Sequence, residues 1–207
     1  MNPRSPRPIV LASGSPRRRE LIAALGVTFE VDPADVDETT AEQDPVRVAE
    51  DLALLKARTV ASRRPDALVI GSDTVVALDG RLLGKPADAE EARAMLRSLR
   101  GRAHEVVTGV AVILDGAEHV AHSSTAVTMR DYTDAEIEAF IATGSPFDKA
   151  GGYASQDPVF APTASIEGCA CGVVGLPVRV LRDLLRDAGL EVGGAAPTLC
   201  ADCRARW

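Results

Sequence analysis

Pro8-Ile9-Val10-Leu11-Ala12-Ser13-Gly14-Ser15-Pro16-Arg17-Arg18-Arg19-Glu20-Leu21 decides the fold of this chain. Residues 8–12 form a short apolar run suited to a buried strand, and Ser13-Gly14-Ser15 then turns the chain. Ser15 reads as a helix N-cap and Pro16 as the first helical residue, with Leu21, Ala24 and Leu25 at helical spacing until Gly26 stops the run. Strand, loop and helix in that order are the building unit of an α/β domain. The three arginines run against the helix dipole, because a helix N-terminus already presents positive partial charge and unpaired N–H groups. Cations placed there make sense if they and the backbone together cradle an anion such as a phosphate chain. The competing reading is a solvated basic turn neutralised by Glu20.

Downstream, residues 28–31 read as a second strand, followed by an acidic stretch containing Asp32, Asp35, Asp37 and Glu38. Asp44-Pro45 opens a long helix to about residue 62, with Ala49, Leu52, Ala53 and Val60 on one face. Lys56 shares that face and either snorkels to water or points into an anion site. Residues 67–70 and 74–78 read as β-branched runs broken by Gly71-Ser72-Asp73, and Asp79-Gly80 supplies a hairpin turn into 81–83. A helix over 88–100, a hairpin of 106–114 with 120–129, and a capped helix over 133–143 follow. A glycine-rich loop over 144–156 carries Asp148, Lys149, Tyr153 and Gln156, and the last helix spans 177–188. This order implies an α/β domain on a mixed sheet over residues 1–190. The Gly/Ala/Pro/Cys-rich tail, 191–207, is expected to be weakly ordered.

Composition narrows the function. With 207 residues, the chain has room for a sizeable core and a deep cleft. An aromatic content of 3% leaves few rings on which to stack bases, and a net charge of −7 disfavours a duplex-binding surface, so nucleic acid is not the expected partner. The sequence has neither an apolar run of membrane-spanning length nor a signal-peptide core at its start, so a cytoplasmic protein without a membrane partner is expected. The four cysteines fall as Cys169-x-Cys171 and Cys200-x-x-Cys203. They read as ordinary reduced thiols, or as a metal knuckle or redox pair. A zinc site would need both pairs to converge in space.

Familiar catalytic motifs can be tested by spacing. Residues 80–86, GRLLGKP, fall one residue short of a P-loop and carry Pro86 where a magnesium-binding hydroxyl belongs. His104, His119 and His122 lack partner spacing and read as structural. What remains is a scattered polar set: Arg17, Arg18, Asp37, Glu38, Lys56, Asp73, Lys85 and Gln156. An Asp embedded between strand segments either caps a turn or is held for chemistry. Cations that bind phosphates, with carboxylates that hold a divalent metal or activate water, are the parts needed to attack a phosphoanhydride.

Five segments add to this reading: LASGSPRRREL, GSDTVV, LGKPADAEEARAMLRSLRGRAHEVVTGVAV, FDKAGGYASQ and VVGLP. In this order, spanning residues 9–188, they resemble the Maf family, the septum-formation-associated nucleotide pyrophosphatases. The resemblance implies a twisted mixed sheet with flanking helices and two lobes around a cleft, similar to the inosine triphosphate pyrophosphatases, usually as a homodimer. It implies hydrolysis of a nucleoside triphosphate to monophosphate and pyrophosphate with a divalent cation, Mg2+, Mn2+ or Co2+, in housecleaning of the nucleotide pool. Carried over by motif, Asp73 matches the proton acceptor that activates water, and Glu38 an acidic position serving catalysis or metal. Asp73 and Glu38 are thus the candidate metal ligands. Ser13, Arg17, Arg18, Lys56 and Lys85 match positions that hold the triphosphate, Lys85 also counting as catalytic through the leaving pyrophosphate. Arg17, Thr74 and Gln156 match the dTTP/UTP subgroup, so pyrimidine nucleotides, modified ones included, are the expected substrates. A nucleotide-binding regulator of cell division with slow or incidental hydrolysis is the alternative. The sequence departs from the family pattern at Cys169-Ala170-Cys171, where bulkier residues are usual, at Asp157-Pro158 and Pro162, and in the cysteine-bearing tail.

Overall fold

The computed structural model describes residues 7–195, 197, 198, 200, 201 and 203. The opening unit forms as its sequence dictates: strand β1 (Ile9–Leu11) is fully buried, and helix α1 (Pro16–Ala23) begins behind Ser15, whose side chain accepts from the Arg18 N–H. Strand β2 (Glu30–Val31) follows, then α2 (Pro45–Ala61), β3 (Leu68–Leu78), β4 (Arg81–Leu83), α3 (Ala89–Leu99), β5 (Ala103–Leu114) and β6 (Ala117–Met129). Helix α4 (Asp134–Ala142) starts with a full capping box between Thr133 and Glu136. Two 3-10 turns, strand β7 (Thr163–Glu167), and helices α5 (Ala170–Val174) and α6 (Val178–Asp187) complete the order. The sheet runs β2-β1-β3-β5-β6-β7, with β4 pairing β3 off this path. The β1–β2 and β1–β3 pairs are parallel and the others antiparallel, which makes this the expected mixed α/β sheet. Among the described residues no helix is long and apolar enough to cross a membrane.

Two details depart from the sequence reading. Strand β7 and helix α5 form where no element was expected, within 163–174. More consequentially, β3 is one unbroken strand through Gly71-Ser72-Asp73, paired with β5 from Val69 opposite Ile113 to Ala77 opposite Glu105. Gly71 is present for packing and does not break the strand. A Cβ there would lie 2.2 Å from the Ala53 carbonyl oxygen, and one on Gly109 of β5 2.1 Å from that of Ala49. The two glycines let α2 press its backbone onto the sheet.

Alternation along β3 and β5 places the site. On one face of the sheet Leu68, Ile70, Val110 and Val112 join α1 and α6 in one apolar core. On the same face, farther along, Val76, Leu78 and Val106 join α3 and α4 in a second. Between these cores the same face carries Ser72, Thr74 and Thr108, a polar interval too hydrophilic for either. On the opposite face Val69, Ala111 and Ile113 pack under α2. The edge of β3 away from β5 is interrupted as well: residues 68–70 pair with β1 and 76–78 with β4. The stretch 71–75 is left without a strand neighbour on that side, where β1 leaves the sheet for the Ser13-Gly14-Ser15 turn. A gap of this kind, where chain direction diverges at the carboxyl end of a parallel strand, is where open α/β sheets take ligands.

The tail carries little regular secondary structure among its described residues, yet it lies against the body. The Ala195 N–H donates to the Ala24 carbonyl at 3.1 Å, and Cys200 and Cys203 are buried.

Candidate active site

A cleft of about 550 Å³ opens at that gap. Its lining includes Ser13, Arg17 and Arg18 from the turn and first turn of α1, Glu38 from the acidic stretch, and Lys56 from α2. Asp73 and Thr74 from β3, Lys85 after β4, and Gln156 after the second 3-10 turn also line it. These nine were all singled out by the sequence, from six separate segments, whereas Asp37 of the same polar set stays outside the cleft, exposed and accepting from the Thr39 N–H at 2.9 Å.

Each is positioned by a local reason. Asp73 shares a strand face with Gly71, so it points toward α2, which that glycine admits. There the Lys56 ammonium meets it: Nζ lies 2.5 Å from Asp73 Oδ1 and 2.6 Å from Glu38 Oε1. Lys56 therefore neither snorkels nor stands as a bare cation but bridges two carboxylates while nearly fully buried. Lys85 Nζ lies 4.0 Å from Glu38 Oε2 and is largely exposed. On the other face, Arg18 Nε donates to the Gly175 carbonyl at 2.8 Å, and Nη1 reaches Ser13 Oγ at 3.2 Å. Nη2 lies 3.4 Å from Thr74 Oγ1, and Thr74 in turn lies 3.0 Å from Thr108 Oγ1. The guanidinium is thus held in plane against the cleft wall instead of waving as a solvated basic turn.

Burial works to raise the pKa of Asp73, and that effect prevails over the opposing charge and hydrogen bond of Lys56 and the charge of Arg18, so its carboxyl sits above the ordinary range. Burial also works on Glu38, but there the hydrogen bond and charge of Lys56, with Lys85 and Arg18, outweigh it and hold the carboxyl low. The two acids are driven apart by environment, the pattern that separates a proton acceptor from a permanent anion. Over the whole cleft five cationic side chains face three carboxylates, on a chain whose net charge is −7. The cleft is a positive spot on a negative protein, shaped to concentrate a small polyanion.

Some participants escaped the sequence reading. Asp148 and Lys149 line the cleft, with Lys149 bonded to the Ser145 carbonyl at 2.7 Å and to Asp148. The glycine-rich loop drew notice, but nothing in its spacing shows which side chain turns inward. Thr108 and Ser72 brace the wall: Thr108 Oγ1 lies 2.8 Å from the Gly172 carbonyl, and Ser72 Oγ lies 3.0 Å from that of Gly175. A hydroxyl inside a β-branched strand carries no warning of its role, whereas the polar interruption shared by two apolar strands does.

The family model described as Maf-like protein matches residues 8–188. The chain belongs to this family. Among Maf-like relatives, the dTTP/UTP pyrophosphatase of Thermomicrobium roseum is 52% identical over 94% of this chain and 92% of its own length. Those of Pelotomaculum thermopropionicum and Deinococcus radiodurans are 50% and 47% identical, over 89% and 90% of this chain and 98% and 95% of theirs. A nucleoside-triphosphatase (dITP/XTP pyrophosphatase) of known structure from Mycobacterium abscessus aligns with TM-score 0.42 and 22% identity, covering 60% of this chain and 75% of its own.

Proposed function

We propose that this Maf-like protein hydrolyses pyrimidine nucleoside triphosphates, dTTP and UTP and their modified forms, to the monophosphate and pyrophosphate. The observation that carries the reading is the junction of Asp73, Lys56 and Glu38 beside Arg18 in one positive cleft. The dTTP/UTP pyrophosphatase relatives, near half identity over nine-tenths of both chains, support the choice of substrate.

In this reaction Asp73 accepts a proton from water as the water oxygen bonds to the α-phosphorus. The bond from that phosphorus to the bridging oxygen breaks, and pyrophosphate leaves with the electron pair. Arg17, Arg18, Lys56 and Lys85, with the Ser13 hydroxyl and the α1 N-terminus, hold the triphosphate and offset the charge that grows on the leaving group. Gln156 carries both a donor and an acceptor on its amide, which suits the edge of uracil or thymine, and Thr74 completes that recognition with Arg17.

Two carboxylates are too few to hold a hard divalent cation unaided, since such ions take about six oxygens. Lys56 already bridges Glu38 and Asp73, so it is through the carboxylate oxygens this ammonium leaves free that the two acids, together with phosphate oxygens and water, would hold a magnesium-type ion, Mg2+, Mn2+ or Co2+, arriving with the nucleotide. When bound, that ion neutralises phosphate charge. We further read the protein as a cytoplasmic homodimer acting on free nucleotides and not on nucleic acid.

Pyrophosphate release measured over canonical and modified triphosphates tests the substrate, with Mg2+, Mn2+ and Co2+ compared. Turnover of dTTP and UTP above the purine nucleotides is expected. Tight nucleotide binding without turnover under any of these ions would overturn the enzyme reading in favour of a nucleotide-binding regulator. Light scattering on the eluting protein checks the dimer.

A further inference from the structure

The two cysteine pairs, 29 residues apart at their closest, meet. The Sγ atoms of Cys169, Cys171, Cys200 and Cys203 all lie within 4.8 Å of one another, and all four residues are buried. Cys169 Sγ is 3.7 Å from Cys203 Sγ and 3.8 Å from Cys200 Sγ. A disulfide needs about 2.05 Å, so these thiols are free. Four sulfurs at about 2.3 Å from a central tetrahedral ion stand about 3.8 Å apart along the tetrahedron's edges, the spacing of Cys169 to Cys200 and to Cys203 here. We propose that Cys169, Cys171, Cys200 and Cys203 bind one Zn2+ as a tetrahedral all-thiolate site that fastens the C-terminal segment to the start of helix α5.

Three further observations point the same way. Backbone N–H groups already face the sulfurs: Gly172 N–H to Cys169 Sγ at 3.4 Å and Cys203 N–H to Cys200 Sγ at 3.3 Å. Such donors offset the negative charge that four thiolates leave around a doubly charged ion. Next, the C-x-C pair sits at the start of α5, with Cys169 as its N-cap and Cys171 in its first turn, and C-x-x-C is a spacing that zinc sites use. Finally, the segment leading to Cys200 is rich in Gly, Ala and Pro and is held by Val192 against the core and by the Ala195 N–H on the Ala24 carbonyl, a small set of contacts to which a metal would add an anchor. Soft thiolates select zinc over the hard ions suited to the cleft, so the protein has two chemically distinct metal preferences. On loading, four S–Zn bonds form and the thiol protons pass to solvent.

The site reaches the cleft through α5. Cys169 caps that helix, and the Gly175 carbonyl at its far end receives Arg18. Zinc here is structural and not catalytic, and its loss acts through the position of that carbonyl.

Elemental analysis of the full-length protein, dialysed against a weak chelator that strips magnesium-type ions, tests this. About one zinc per chain is expected, released in step with the titration of four thiols by a mercurial. Cobalt replacement should give the intense visible absorption of a tetrahedral thiolate site. The pair Cys200→Ser with Cys203→Ser should lose the metal and lower the melting temperature by about 5 °C or more. If that variant fails to fold, the metal content and thiol titration of the unmodified protein decide alone. Four freely titrating thiols with no metal, a mass showing disulfides, or iron in place of zinc would each overturn the assignment.

Discussion

The cleft and the thiol cluster both gather reactive side chains from distant segments, yet they solve opposite electrostatic problems. In the cleft, Lys56 sits between Asp73 and Glu38, so its buried charges are compensated before any ligand arrives. Among the described residues the thiol cluster shows no counter-charge; its four buried sulfurs have backbone N–H groups and one another. A site built on paired charges is assembled by folding alone and then tuned by its substrate. One built on like ligands is completed only by the ion it binds.

That contrast is most sharply broken at Asp73. Asp73→Asn removes the proposed proton acceptor but keeps its shape, and turnover should fall by about 10²–10⁴ while zinc content stays unchanged, as steady-state pyrophosphate release and metal analysis will check. Arg18→Lys cuts one link between the regions, the bond to the Gly175 carbonyl, while Ser72 and Thr108 keep theirs to Gly175 and Gly172. A charge-assisted bond lost there should lower kcat/KM by about 10- to 100-fold, mostly through KM. Gly71→Ala pushes a methyl into the α2 backbone and should cost about 1–3 kcal/mol in urea unfolding, with the Lys56–Asp73 contact loosened and the thiol side unaffected.

Lys56→Met withdraws the compensating charge. The Asp73 carboxyl, already raised by burial, rises further, so more of it is protonated at a given pH. The acid limb of the kcat/KM profile should move to higher pH. The smallest effect is expected at Gln156→Ala, where the preference for dTTP and UTP over purine triphosphates should drop by about tenfold with little change in stability.

The legibility of the molecule follows the range of its interactions. The β1-loop-α1 unit was readable because cap, proline and apolar spacing all lie within a few residues of one another. The helices over 45–61, 89–99 and 134–142 were readable from periodicity and caps. Residues 71–73 misled because a glycine beside two polar residues usually ends a strand. Here β5 pairs straight through them, and the glycine answers to a helix that the local sequence does not mention. The polar residues that line the cleft were singled out through motifs, but their partnership was not. Lys56 remained open between water and an anion site, and in fact it binds the two acids of the same cleft.

By itself, the sequence determined the mixed α/β character, the cation-bearing helix start and the identity of the polar residues that line the cleft, because composition, caps and motifs are local properties. The tertiary structure alone decided that Asp73 meets Lys56, that Arg18 reaches Gly175, and that Cys169 and Cys171 meet Cys200 and Cys203. Those contacts join residues 17 to 157 positions apart, and their distances depend on how α2 and the tail pack onto the sheet, which no local pattern encodes.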